Sequence, residues 1–186
     1  MDAAKHLLDE ALAALDRDDW RSAIDQLPVP IYRTDVDGNV TYWNQACVDF
    51  AGREPKPGQD RWCVTWKIYK TTGELLPHDQ CPMADAIHQR REVRGAVAIA
   101  MRPDGSRRAF TPYPTPLFDS AGDFCGAINM LVDVSDEQCH ILADQAERCR
   151  RLALWSTDAS TRGVLGDMAL NYDATARALG DSSRTN

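Results

Sequence analysis

Ile31-Tyr32-Arg33-Thr34-Asp35-Val36-Asp37-Gly38-Asn39-Val40-Thr41-Tyr42-Trp43-Asn44 is the stretch that decides the fold. Two runs rich in β-branched and aromatic residues flank Asp37-Gly38. Asp-Gly between such runs is a strong hairpin signal, because glycine accepts a positive φ at no steric cost. Asn44 then stands where a helix N-cap belongs, ahead of Gln45–Ala51, and Gly52 supplies the stop. The local order is strand, tight turn, strand, capped short helix.

Upstream, Leu7, Leu8, Ala11, Leu12 and Leu15 recur at helical spacing, which predicts an amphipathic helix over residues 3–17. A second helical turn is predicted from Asp19 through Leu27, with Trp20 and Ile24 on its apolar side. Pro28 and Pro30 end it.

Downstream, residues 53–81 read as irregular, but Trp62, Trp66 and Tyr69 carry too much apolar surface for a free linker. Pro82 suits the first position of a helix running to about Gln89. Three strands follow. Val93, Gly95, Val97, Ile99 and Met101 alternate, Pro103-Asp104-Gly105 turns the chain, and Ser106 to Pro116 returns. Pro112, Pro114 and Pro116 demand irregularity or a free edge there. From Phe124 to Val132 both alternating sets are largely apolar, which predicts a central strand covered on both sides. Ser135 is placed to cap a long helix from Asp136 to about Trp155, and a last helix carries Val164, Met168, Tyr172, Ala176 and Leu179. Strands closing around a helical middle predict an α+β fold with an antiparallel sheet.

Taken in order, these residues resemble a PAS domain. Residues 27–46 resemble the family's opening strand pair and first helix, Arg102-Pro103-Asp104-Gly105-Ser106-Arg107 resembles a later hairpin, and Asp133-Val134-Ser135-Asp136-Glu137 resembles the exit into a signalling helix. The run Leu76-Pro77-His78-Asp79-Gln80-Cys81-Pro82-Met83-Ala84 is similar to PAS modules of bacterial two-component sensors. The resemblance implies a five-stranded antiparallel sheet with helices over one face, an N-terminal helix and a C-terminal helical pair. It divides the chain into a helical segment at residues 1–27, the PAS domain at 28–134, a helical hairpin at 135–181 and a flexible tail at 182–186. It also implies a sensory module working as a homodimer with a signalling protein partner, with Leu8, Leu12, Leu15 and Trp20 as the expected dimer contacts.

Trp62, Trp66, Tyr69, His78, His88, Phe110, Tyr113 and Asn129 are the candidates to line a ligand pocket, but without a cofactor signature the aromatics read rather as plain core. Family members that bind haem use a histidine beside the cavity, and His88 and His78 are the positions available for it. The flavin-binding branch needs a reactive Cys ahead of Arg. Here Asp60-Arg61-Trp62-Cys63 has the order reversed, so flavin chemistry is not expected. Cys63, His78 and Cys81 are zinc-type ligands, but no fourth partner is evident.

No nucleophile elbow, phosphate loop or paired carboxylates occur, so catalysis is not expected. His140 lacks the neighbouring pattern of a kinase phosphoacceptor. A net charge of −7 argues against a nucleic-acid binder. The clusters Arg90, Arg91, Arg94 and Arg102, Arg107, Arg108 read as solvated surface. No apolar run is long enough for a membrane span and no signal peptide is visible, so a cytoplasmic location is expected. Cys139 and Cys149 fall about 15 Å apart along one helix, which excludes a disulfide between them within it.

Overall fold

The computed structural model describes residues 2–183. In chain order the elements are α1 (Asp2–Ala14), α2 (Trp20–Asp25), β1 (Ile31–Thr34), β2 (Val40–Trp43), α3 (Gln45–Ala51), β3 (Lys67–Tyr69), β4 (Leu75–Leu76), α4 (Pro82–Gln89), β5 (Ala98–Met101), β6 (Arg107–Phe118), β7 (Phe124–Asp133), α5 (Ser135–Trp155) and α6 (Ala159–Ser183). A 3-10 turn at His78–Gln80 leads into α4.

All strands join one antiparallel sheet in the order β2-β1-β7-β6-β5-β3-β4. The sheet has seven strands where five were expected. The two extra strands come from the stretch expected to be irregular. Gly73, with φ of 88°, turns β3 back on β4, and β3 pairs with β5. The strand expected from Val93 starts only at Ala98. Gly95 has φ of 77°, and Arg94 turns its guanidinium to the Pro114 carbonyl and the Thr115 hydroxyl.

Several local readings hold. Asn44 caps α3, its Oδ1 accepting from the Cys47 N–H, and Gly52 ends the helix in the left-handed region. The same Oδ1 accepts from the Ile31 N–H at 3.0 Å, and Nδ2 donates to the Val29 carbonyl at 2.9 Å. One buried amide thus fixes the entry to β1 as well as the start of α3. Pro82 opens α4. β6 pairs with β5 only as far as Phe110↔Ala98, while its pairing with β7 runs on to Phe118↔Phe124. Pro112, Pro114 and Pro116 therefore pair with no strand on one side, where Val93 and Arg94 donate to the Pro114 carbonyl and a missing N–H breaks no ladder. β7 lies between β1 and β6 and is buried continuously from Gly126 to Leu131.

The cap expected at Ser135 falls on Val134, which makes no side-chain cap bond. The Asp133 carboxylate instead accepts from the Ser135 N–H at 2.9 Å. That frees the Ser135 hydroxyl to accept from the Ala109 N–H at 3.0 Å. Of the tail expected at 182–186, residues 182 and 183 belong to α6 and 184–186 lie outside the described residues.

The core has three parts. Tyr32, Phe50, Trp62, Met83, Ile87, Phe110 and Leu131 fill the space between one face of the sheet and α3 and α4. On the opposite face, Leu8, Ala11 and Ile24 of the first two helices cover Ile31, Ile128 and Met130. Beside them, Leu142 of α5 and Ala176 and Leu179 of α6 cover Ile99 and Ala109. The flanking helices thus clothe the outer face in two separate patches.

Candidate functional site

The inner face of the sheet, under α3 and α4, holds a polar centre in an apolar surround. Side chains two apart on a strand share a face, which places Tyr32 and Thr34 together on β1, and the register sets Tyr32 opposite Asn129 on β7. The Tyr32 hydroxyl donates to the Trp62 carbonyl at 2.9 Å and accepts from Asn129 Nδ2 at 3.0 Å. Asn129 Oδ1 accepts from the Tyr113 N–H at 2.9 Å, so the amide bonds at both ends. Burial drives the Tyr32 phenol well above its ordinary pKa, with the neighbouring Cys63 and Cys81 adding to it. The ring therefore stays a neutral donor. The Thr34 hydroxyl is also buried and has no partner among the described residues.

Trp62 is the lid of this centre. Its N–H donates to the Gly38 carbonyl at 2.7 Å, and its backbone stands at φ of 67°. That conformation costs a bulky residue of order 1–3 kcal/mol unless the surroundings impose it. Here the surroundings do: the Gly38 and Tyr32 bonds grip it from two sides. Gly38, at φ of 84°, also makes room for the indole, since a Cβ there would lie 2.2 Å from the ring. Asp37-Gly38 is thus both a hairpin turn and the seat of the lid.

The expected pocket residues divide. Trp62, Phe110 and Asn129 meet on the inner face, with Phe110 edge-on to Phe50 at 5.6 Å between centroids. His88 is exposed and leans edge-on against Trp62 at 5.0 Å. Trp66 is exposed and lines a shallow groove of about 180 Å³ with Leu75, Leu76 and His78. Tyr69 and Tyr113 lie on the outer face, Tyr69 with the patch under α5 and α6 and Tyr113 with the patch under α1 and α2. Their strand partners, Ile99 and Met130, belong to that face, so the register carries both tyrosines away from the pocket.

Leu8, Leu12, Leu15 and Trp20, expected at a dimer surface, pack within their own chain, Leu8 fully buried there. Trp20 lies edge-on to Tyr42 at 4.8 Å, with the Arg21 guanidinium over its ring.

Of the two candidate histidines, His88 is exposed against the Trp62 ring and His78 borders the groove of about 180 Å³. Burial holds the His78 imidazole below the usual histidine range, and its Nε2 is buried without a partner among the described residues. Cys63 is buried with its sulfur 3.2 Å from the Thr65 hydroxyl, and burial raises its pKa, so the reactive thiolate of flavin adduct chemistry is disfavoured. Burial pushes Cys81 up to about 12, and its sulfur faces the Trp62 carbonyl. Among the described residues no three His, Cys, Asp or Glu side chains stand close enough to share a metal ion, so Cys63, His78 and Cys81 form no metal centre. All six cysteines are free. No helix among the described residues is long and apolar enough to cross a membrane.

One group that the sequence reading overlooked links the sheet to the exit helix. Asp133, the last residue of β7, takes the Arg108 guanidinium at 2.8 Å on one carboxylate oxygen and the Ser135 N–H on the other. Nearby, Arg102 donates to the Phe50 carbonyl at 2.8 Å and to the Asp49 carbonyl at 2.6 Å, at the C-terminal end of α3. A cation there complements the helix dipole. The arginines read as solvated surface therefore include three, Arg94, Arg102 and Arg108, that tie separate parts of the chain together.

No curated protein matches the sequence. Among solved structures, the PAS domain of the fruit-fly ELK potassium channel is 12% identical, spanning 61% of this chain and 92% of its own, with a TM-score of 0.49. A LOV protein of Rhodobacter sphaeroides is 13% identical over 98% of this chain and 99% of its own, with a TM-score of 0.46. A PAS domain from Colwellia psychrerythraea is 17% identical over 61% and 92%, with a TM-score of 0.43. The family model described as the PAS fold matches residues 24–138, which is the larger part of the chain and takes in the whole sheet, the lid and the first turn of the exit helix. The chain belongs to the PAS family of sensory signalling modules.

Proposed function

We propose that the inner face binds a small, largely apolar ligand bearing one hydrogen-bonding group, and that α5 carries the response away through Asp133. The observation that supports this reading is the polar centre under Trp62. The unpaired Thr34 hydroxyl, two residues along β1 from Tyr32 and opposite Ala127, offers a polar contact in an otherwise apolar surround. Few, convergent polar groups among apolar walls are the usual make-up of a small-molecule site. Entry requires the Trp62 lid to move, and a ligand shifts the module only as far as it favours one lid position over the other. Motion of α3 then reaches α5 through Arg102, Arg108 and Asp133. The module works as a cytoplasmic homodimer that signals to a protein partner, without chemistry of its own.

A second reading, a ligand-free adaptor, is favoured by the side chains that already fill the inner face. One experiment separates the two. Native mass spectrometry and an absorption spectrum of the purified chain are followed by thermal shifts against a small-molecule library. The ligand reading expects a retained or added small molecule that raises the melting temperature, and expects Thr34→Val to reduce that rise. An unliganded protein that no compound stabilises leaves the adaptor reading. A Soret band would favour a haem-binding sensor over both readings.

A further inference from the structure

The α5–α6 hairpin is buried at one end only. Leu142, Ala146 and Cys149 of α5, and Ala169, Ala176 and Leu179 of α6, are buried, whereas residues 150–168 carry no buried side chain. That tip exposes Leu152, Leu154, Trp155, Val164 and Met168, with Leu154 84% and Trp155 85% exposed. Scattered single apolar residues on a surface are ordinary, but a cluster that ends in a bare tryptophan marks an interaction surface.

The shape of the tip says what covers it. A groove of about 560 Å³ runs between the helices, walled by Ala153, Leu154 and Leu170. Gly163 and Gly166 lie along it, and a Cβ at either glycine would meet nothing within 4 Å. One small surface thus carries both a bulky knob, Trp155, and an open floor. Knob and hole on the same patch are what a two-fold interface needs, because each residue meets its counterpart's partner.

Charge points the same way. Arg150 is already paired within the chain, with Glu147 and across the hairpin with Asp173, which leaves Arg148 and Arg151 at the end of α5 and Asp158 and Asp167 against Arg162 on the α6 side. The α5 side is basic and the α6 side acidic, within a chain of net charge −7. Two copies related by a two-fold axis can set α5 of one against α6 of the other, so that Arg148 and Arg151 meet Asp158 and Asp167 of the second copy. Away from the tip, the buried apolar side chains of the flanking helices pack on the outer face of the sheet, and Ile141 of α5 is the exposed large one among the described residues.

We infer that the occupant of the tip is the tip of a second copy of this chain, forming a four-helix bundle in which Trp155 of each protomer enters the glycine-floored groove of the other. The inference rests on the homodimer proposed above and names its interface. The test is sedimentation velocity on the full chain, on Trp155→Glu, which removes the knob at an exposed position, and on Gly166→Leu, which fills the groove. Leucine is the better helix former, so Gly166→Leu is expected to melt at or above the wild-type temperature while still weakening the dimer. The expected result is a wild-type dimer and at least tenfold weaker self-association in both variants. A dimer that persists unchanged in both overturns the tip as interface and leaves the homodimer standing. A wild type that stays monomeric at every concentration overturns the homodimer and the tip together.

Discussion

The two faces of the sheet are covered by different kinds of contact. The inner face meets α3, α4 and the Trp62 lid through a mixed core with directional bonds at its centre: phenol to carbonyl, amide to phenol, amide to backbone. The outer face meets α1, α2, α5 and α6 through buried aliphatic and small side chains, with Trp20, Tyr42, Tyr69, Tyr113 and Tyr172 only partly buried around them. Directional bonds have one good geometry and are costly to leave unmade in a dry interior. Aliphatic contacts tolerate small slides and scale with area. The inner face is therefore built to hold one arrangement, or to exchange it for another in which a ligand supplies the bonds. The outer face is built to let helices dock and loosen.

Removing the lid tests that contrast most severely. Trp62→Ala is expected to cost about 3–5 kcal/mol of global stability, the range for deleting a large buried aromatic. Urea titration followed at two probes, one in β7 and one in α6, should show a single shifted transition. Leu142→Ala deletes a buried side chain on the outer face at about 2–5 kcal/mol, but its loss should fall unevenly. Amide exchange is expected to quicken in α5 and α6 while β1 and β7 keep most of their protection. Equal loss of protection in the strands would break the distinction between a fixed inner face and a dockable outer one.

Tyr32→Phe sharpens the point with a single atom. The ring volume stays, but the Trp62 carbonyl loses its donor and Asn129 Nδ2 loses its acceptor. A cost of about 1–3 kcal/mol is expected from the stranded groups, read as a lower denaturation midpoint at unchanged slope. A neutral result would mean that water replaces the phenol and that the centre is wetter than its burial indicates.

How far these faces were legible in the sequence follows from the range of each signal. Asn44, Gly38 and Pro82 act on neighbours one to four residues away, and their turns and caps stand as read. The three prolines of β6 announced a side without a strand partner because a missing N–H is a local fact. Tyr69 and Tyr113 were misplaced for the opposite reason. Alternation tells which residues share a face, but the pairing partner tells which face it is. Ile99 and Met130 are 30 and 17 residues further on. The same holds for Arg108 and Asp133, 25 apart in the chain and joined only once β6 and β7 align. The positive φ of Trp62 left no trace in the sequence, because it is imposed by Gly38 and Tyr32 from outside its own segment.

Asp133→Asn probes the join between the sheet and α5 at a smaller cost. The Arg108–Asp133 pair is partly exposed, with side-chain accessibility of 16% and 36%, so its loss is expected to be about 1 kcal/mol or less. The informative readout is local. Amides in the first turns of α5 should exchange faster while those of β7 hold, and any thermal shift produced by a ligand should no longer be accompanied by protection in α5. Unchanged exchange at the start of α5 would remove Asp133 from the relay.

The smallest expected effect concerns His78, at the edge of the inner face. Burial lowers its pKa; Asp60 opposes that shift, Arg53 adds to it, and Asp79 opposes it. The folded chain therefore binds this proton less readily than the unfolded chain, in which the imidazole titrates near its ordinary value of about 6.5. Stability rises with pH wherever the unfolded state holds more protons. The histidine should thus cost nothing well above that value, and should begin to subtract from stability as pH falls through it, levelling off only once the folded imidazole also takes up its proton. His78→Gln cannot be charged and should flatten that part of the profile. Carboxylates contribute to acid destabilisation in both proteins, so the measurement is the difference between wild type and His78→Gln in denaturation midpoints from pH 8 to pH 5. A gap that opens as pH falls, with the wild type losing more, matches the buried neutral ring. A gap of opposite sign would mean that Asp60 outweighs burial and that His78 is held as a cation.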